Sequence, residues 1–226
     1  MNCESEPEET GGVVKSASPS ATGPTVSEQK RALRARLQAL RAQWPAEARR
    51  AESAAWCARL EGLEIWREAW CVLLFAPLPD EPEVTPLFEA AWAAGKKVGV
   101  PRFNTQHLDY EVFEVPNAAA LAPGYYGILE PARFCAPLAL NLLDLALVPG
   151  VAFDVTGRRL GRGKGYFDRL LAQVRGHTCG AAMEWQIVSE VPSEPHDVGL
   201  NSLLTPSRWI RCAEPRAVSN DFAGKH

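Results

Sequence analysis

Residues 158–168 read RRLGRGKGYFD. Gly161, Gly163 and Gly165 alternate with Arg162 and Lys164, Arg158 and Arg159 lead in, and Asp168 closes the stretch. Glycine lacks Cβ, so the chain can turn through positive φ and come close to a ligand. Arginine grips phosphate oxygens with two parallel hydrogen bonds, while lysine acts as a point charge. Asp168 is a poor phosphate neighbour by itself. It makes sense if it holds a magnesium ion that the phosphates also touch. YFDRLLAQV predicts a helix over 166–174, whose first N–H groups lack internal partners and favour an anion. The chemistry that suits this set is polyphosphate binding. A flexible basic surface turn before a helix is the competing reading.

Two known phosphate loops do not fit. The P-loop requires Ser or Thr after its lysine, and Gly165 follows Lys164. The dinucleotide fingerprint requires its third glycine three residues after the second, where Tyr166 stands.

The elements that must position this segment are legible as alternating strands and helices. A helix is expected from Ser27 as N-cap, through Leu33, Leu37, Leu40 and Trp44, to a stop at Pro45, and a second over 46–60. WCVLLFA (70–76) and LLDLALVPG (142–150) are near-continuous apolar runs, as in strands covered on both faces. Thr85-Pro86 predicts a helix start that runs to Gly95. KVGVP (97–101), DYEVFEV (109–115), CGAAM and RWIRC read as further strands, and 116–127 as loop. Such alternation implies an α/β sheet with helices on both faces, and active residues at the carboxyl ends of its strands.

Composition bounds the function. The 226-residue chain is 46% hydrophobic and 23% charged, with net charge -3, so any anion site must be local. No nucleic-acid partner is expected. No apolar run reaches the roughly 20 residues of a membrane helix, so no membrane partner is expected either. The six cysteines show neither C-x-x-C pairing nor zinc spacing and read as reduced thiols. The acidic leader over 1–26 has no signal core and reads as disordered, so the cytoplasm is the expected compartment. One α/β domain is expected over 27–213, with a flexible tail over 214–226.

LVPGVAFDVTGRRLGRGKGYFDRLL (147–171) resembles the central motif of the 5-formyltetrahydrofolate cyclo-ligases, also called methenyltetrahydrofolate synthetases. Satellites of that pattern extend over most of 27–206. They are Lys30, Leu33 and Arg34; Glu83-Val84-Thr85; V-P-R at 100–102; G-I-x-E-P at 127–131; Gln186; and P-x-E-x-H-D at 192–197, leading to Thr205. The resemblance implies a three-layer α/β/α sandwich with a mostly parallel, mixed sheet, like that of sugar-phosphate isomerases and CoA transferases. It also implies ATP- and magnesium-dependent closure of 5-formyltetrahydrofolate to 5,10-methenyltetrahydrofolate, with release of ADP and phosphate, by a monomer.

Carried over by position, the resemblance puts Lys30, Arg34, Arg159, Leu160, Gly161, Arg162, Gly163, Lys164, Gly165, Tyr166 and Phe167 on ATP. Leu78, Glu83 and residues Arg162 to Tyr166 would border the folate. Arg162 and Lys164 would be catalytic, and Asp168 and Asp197 would hold magnesium. Two departures stand out: many relatives have a second tyrosine where this chain has Phe167, and Pro206 follows Thr205 where an acid is common. The rival readings are a non-catalytic nucleotide- or RNA-binding relative, and an isomerase or CoA transferase of similar architecture. The first would erode the magnesium acids or the Lys30/Arg34 pair, and all four residues are present. The second needs a catalytic carboxylate rather than paired metal acids.

Overall fold

A computed structural model describes residues 23–78, 81–124 and 127–213. The acidic leader, but for its last residues, and the tail expected over 214–226 lie outside the described residues.

The continuous apolar run near residue 72 forms β1 (Cys71–Leu73), at the middle of the sheet. Val72 and Leu74 point to one face, Cys71 and Leu73 to the other, and all are buried. The remaining strands of the seven-stranded sheet are β2 (Lys97–Asn104), β3 (Asp109–Glu114), β6 (Leu145–Val148), β9 (His177–Ala181), β10 (Ser202–Leu204) and β11 (Trp209–Arg211). Two small hairpins lie outside it: β4 (Leu121–Pro123) with β5 (Leu129–Pro131), and β7 (Ala152–Phe153) with β8 (Arg159–Leu160). The sheet order is β11-β10-β9-β6-β1-β2-β3. The five central strands are parallel, and β3 and β11 are antiparallel edges.

Five α-helices accompany the sheet: α1 (Val26–Ala42), α2 (Ala46–Glu61), α3 (Glu64–Glu68), α4 (Thr85–Ala93) and α5 (Tyr166–Leu171). Trp56 and Leu60 of α2, Trp66 of α3, and Leu87 and Phe88 of α4 pack on the Val72 face. Leu170 and Leu171 of α5 pack on the Leu73 face with Phe153 and Leu200. This is the expected three-layer arrangement. Leu37 of α1 packs apart from both, on Ala152, Leu160 and Val191, which sets α1 against the β7–β8 hairpin. Among the described residues, no helix is long and apolar enough to cross a membrane.

Five local expectations change. The stretch 116–127, read as loop, contains β4, which pairs with β5. The cap of α1 is Thr25, not Ser27. Its hydroxyl accepts from the Glu28 amide (3.3 Å) and the Glu28 carboxylate accepts from the Thr25 amide (2.8 Å), a reciprocal box that Ser27 has no Glu or Gln in place to make. Thr85 is the first residue of α4, not its cap; its amide donates to Glu83 Oε1 at 3.0 Å. α5 ends at Leu171 rather than 174 and holds six residues. β10 has no run of its own in the sequence; its three residues become a strand because β9 and β11 flank them.

The chain leaves β1 toward β2 on one side of the sheet, and continues from β6 toward β9 on the other. β1 and β6 are neighbours. The crevice beyond their carboxyl ends is a topological switch point, where open α/β sheets bind ligands.

Candidate active site

A cavity of about 410 Å³ opens at that switch point. Phe75, Ala76 and Leu78 reach it from the end of β1, Pro149 and Gly150 from the end of β6. Gly161, Arg162, Lys164 and Gly165 form one wall, continued by Tyr166, Phe167 and Asp168 of α5. A second cavity of about 200 Å³ lies alongside, lined by Arg34, Leu37, Gln38 and Arg41 of α1 and by Val151, Trp185 and Gln186. Glu81, Gly150 and Arg162 belong to both walls. A more open groove of about 1070 Å³ runs along β3 but contains no residue of the glycine segment.

The segment is held by its neighbours. Buried Asp154 accepts from the amides of Thr156 (2.9 Å) and Arg158 (3.3 Å) with one oxygen, and from Val191 (2.8 Å) with the other, which ties the β7–β8 turn. Gln186 donates to Gly150 O at 2.7 Å and fixes the corner after β6. No Cβ fits at Gly150, because it would lie 2.5 Å from the Phe153 ring. Gly163 (φ 99°) and Gly165 (φ 67°) occupy the left-handed region, so the chain doubles back just before α5. Six helical residues make a weak dipole. Anion binding therefore falls to loop amides and side-chain cations more than to the helix end.

The cations divide into three kinds. Arg159 is buried: Nη2 donates to Asp168 Oδ1 at 2.8 Å and Nη1 to Pro149 O at 3.3 Å, so it braces Asp168 against the end of β6. Arg162, half exposed, donates from Nη2 to Glu81 Oε1 at 2.9 Å. Lys164 is exposed at the rim of the larger cavity, and among the described residues its ammonium has no partner.

From α1, Arg34 Nε donates to Gly161 O at 2.9 Å, which docks the helix on the glycine segment. Burial pulls the Arg34 pKa below its ordinary value. One turn earlier, buried Lys30 donates to Asp197 Oδ2 at 2.6 Å and Glu194 Oε2 at 2.7 Å. Burial alone would lower the Lys30 pKa; the two carboxylates outweigh it and raise it.

Most of the expected residues converge. Leu78, Arg159, Gly161, Arg162, Lys164, Gly165, Tyr166, Phe167 and Asp168 line the larger cavity, and Arg34 lines the smaller. Five stand elsewhere. Leu160 is buried against Leu37. Gly163 faces the Arg34 guanidinium. Glu83 is exposed and bonds the start of α4. Lys30 and Asp197 pair with each other.

Residues 26–206 match the model of the 5-formyltetrahydrofolate cyclo-ligase family. The chain belongs to that family. It is 30% identical over 190 residues to a 5-formyltetrahydrofolate cyclo-ligase of Mycolicibacterium smegmatis, covering 80% of this chain and 95% of the relative. It is 29% identical to the mouse enzyme of that name over 192 residues, with the same coverages. The solved 5,10-methenyltetrahydrofolate synthetase of Aquifex aeolicus superposes with a TM-score of 0.75 at 30% identity, covering 87% of this chain and 99% of that one. The cyclo-ligase described here is an ATP-dependent ligase that converts 5-formyltetrahydrofolate to 5,10-methenyltetrahydrofolate.

The donor chemistry of this cyclo-ligase fits magnesium. Asp168 offers carboxylate oxygens on the cavity wall, and Asp197 and Glu194 hold a cationic ammonium between them. Hard oxygen donors of this kind suit magnesium. Among the described residues, the cluster of three possible ligands within one ion's reach is Glu194, His196 and Asp197.

Glu81, Tyr110 and Trp185 also line the cyclo-ligase cavities, and none is singled out by motif or spacing. Glu81 lies in the acidic run DEPE, where the Glu83-Val84-Thr85 pattern points to its neighbour Glu83 instead. Tyr110 alternates like any strand residue. Only the register that places β3 beside β2 brings it to Tyr166, ring centroids 5.7 Å apart.

Proposed function

We propose that the cyclo-ligase activates the formyl group by phosphorylation. The γ-phosphoryl group of ATP passes to the formyl oxygen and ADP leaves. N10 of the same folate then attacks the formyl carbon, the carbon–oxygen bond breaks and phosphate departs, while the N10 proton is lost to solvent. Phosphoryl transfer depends on positioning and charge neutralisation more than on covalent help from the protein.

The observation that carries this reading is the position of Arg162, in the wall common to both cavities. The smaller cavity, beside Arg34 and Arg41, receives the nucleotide. The larger, with Tyr110 and Tyr166, receives the reduced pteridine and its benzoyl ring, and the nucleotide's phosphates extend past Arg162 along the wall from Arg159 to Phe167. Arg162 then spreads its charge over the phosphoryl group in transit, and Lys164 adds a second cation from the rim. Leu78 supplies an apolar contact to the folate. Glu83 is assigned to the pterin's N–H donors; its carboxylate must turn from the start of α4 to reach them. Lys30, Arg34 and the segment from Arg159 to Phe167 serve the nucleotide, Leu160 and Gly163 through backbone alone.

Asp168 and Asp197 would hold magnesium, which when bound neutralises phosphate charge. For Asp197 this requires Lys30 to give up its hydrogen bond and turn to a phosphate. The partners are small molecules, and the protein acts as a monomer in the cytoplasm, without nucleic acid or membrane; the net charge of -3 supports the lack of a nucleic-acid partner, and the five free, buried cysteines among the described residues support a reducing compartment.

The test is ATP consumption with and without 5-formyltetrahydrofolate, read together with the near-ultraviolet absorbance of the methenyl product. ATP loss that ignores the folate, or no absorbance rise, would overturn the reading.

A further inference from the structure

Glu81 is fixed at both carboxylate oxygens. Oε1 accepts from Arg162 Nη2 at 2.9 Å, and Oε2 accepts from the amide of Leu78 at 3.0 Å. The side chain is 10% exposed, against 47% for Arg162. It lines both cavities. One carboxylate thus joins the segment that borders the larger cavity to the guanidinium of the glycine segment, at the partition between the two spaces.

We propose that Glu81 is a positioning residue that occupies Arg162 while the site is empty and makes nucleotide binding depend on the folate. The inference rests on the phosphate role of Arg162 given above. A triphosphate entering the smaller cavity meets a carboxylate in its wall, and like charges repel across such a short gap. The same phosphates need the guanidinium that Glu81 holds. Nucleotide alone must therefore separate an ion pair and leave an ionised carboxylate beside its own negative charge. A reduced pteridine in the larger cavity changes this balance, because its amino and ring N–H groups can donate to the freed carboxylate. Each ligand then strengthens the binding of the other by the same factor. The device keeps ATP from settling productively where no formyl oxygen waits.

The test is Glu81→Gln, which removes the charge but keeps an oxygen to accept from the Leu78 amide. The dissociation constant of a non-hydrolysable ATP analogue is measured with and without 5-formyltetrahydrofolate. Trp185, in the wall of the smaller cavity, supplies the fluorescence signal. Glu81→Gln is expected to bind nucleotide alone about three- to tenfold more tightly, the scale of one partly exposed charge contact. The gain in affinity that the folate confers on the wild type should shrink by a similar factor. Glu81→Asp, which keeps the charge, should lie closer to wild type. In an Arg162→Ala background, adding Glu81→Gln should tighten nucleotide binding by a smaller factor than it does in the wild type. A purely structural role would shift the melting temperature of Glu81→Gln and leave both binding constants at wild-type values; that result overturns the inference. If Arg162→Ala itself turns over normally, the phosphate reading fails instead, so the two failures are distinguishable.

Discussion

The Lys30 ammonium sits between two carboxylates, 2.6 Å from Asp197 and 2.7 Å from Glu194, on the same helix face that docks Arg34 on Gly161. Two acids and a cation in this geometry are a charge-balanced unit. Removing the cation leaves carboxylates facing each other, at a position where a divalent ion can replace it.

Lys30→Ala is therefore expected to lower stability by about 2 kcal/mol, less than a fully buried pair because Glu194 is partly exposed. Magnesium should raise the melting temperature of the variant more than that of the wild type. Urea unfolding and thermal melts with and without magnesium check both points. Equal shifts in the two proteins would remove Asp197 from the metal site.

Arg162→Ala should lower kcat/KM by roughly a hundredfold or more, the scale set by losing one donor that stabilises transition-state charge. Its melting temperature should stay near wild type, since the side chain is half exposed. Steady-state kinetics and calorimetry on the same preparation separate the two effects.

Asp168→Asn bears on two roles at once. Arg159 loses its charged partner in a buried setting, which is expected to reduce stability by about 1–3 kcal/mol. The magnesium concentration for half-maximal rate should rise. A stability loss with an unchanged magnesium titration would leave Asp168 as a brace for Arg159 and nothing more.

His177 predicts a pH dependence of stability. Its ring stacks on Trp209, and Nε2 lies 2.8 Å from Ser202 Oγ. Burial, reinforced by the charge of Arg211, pushes its pKa down to about 4. The folded state thus prefers the neutral ring, while the unfolded chain protonates near pH 6.5. The contribution is complete above about pH 6.5 and disappears as pH falls toward 4. With partial exposure discounted, it amounts to about 2 kcal/mol. His177→Gln should flatten the melting temperature between those limits.

The central strands were legible because parallel strands covered on both faces must be apolar at every position, as WCVLLFA and LLDLALVPG are. α1 was legible from Leu33 and Leu37 at helical spacing, though its true cap lies two residues upstream of Ser27. β10 was not, because three residues between a polar asparagine and threonine carry no periodicity. Within the site, Arg162, Lys164 and Asp168 stand in one short segment and announce themselves. Glu81 and Tyr110 do not, since each is one ordinary residue of a common local pattern.

Sequence alone determined the chemistry available: clustered cations, unhindered backbone and single acids, because residue type sets charge and allowed φ. The tertiary structure decided which of these meet. It set Arg162 against Glu81, 81 residues away in sequence, and Lys30 against Asp197, 167 away. Such pairs are made by the sheet order, which sends β1 and β6 to one crevice and brings α1 back over it. No local spacing encodes that, because the energy that selects the order is burial of apolar surface spread over the whole sheet.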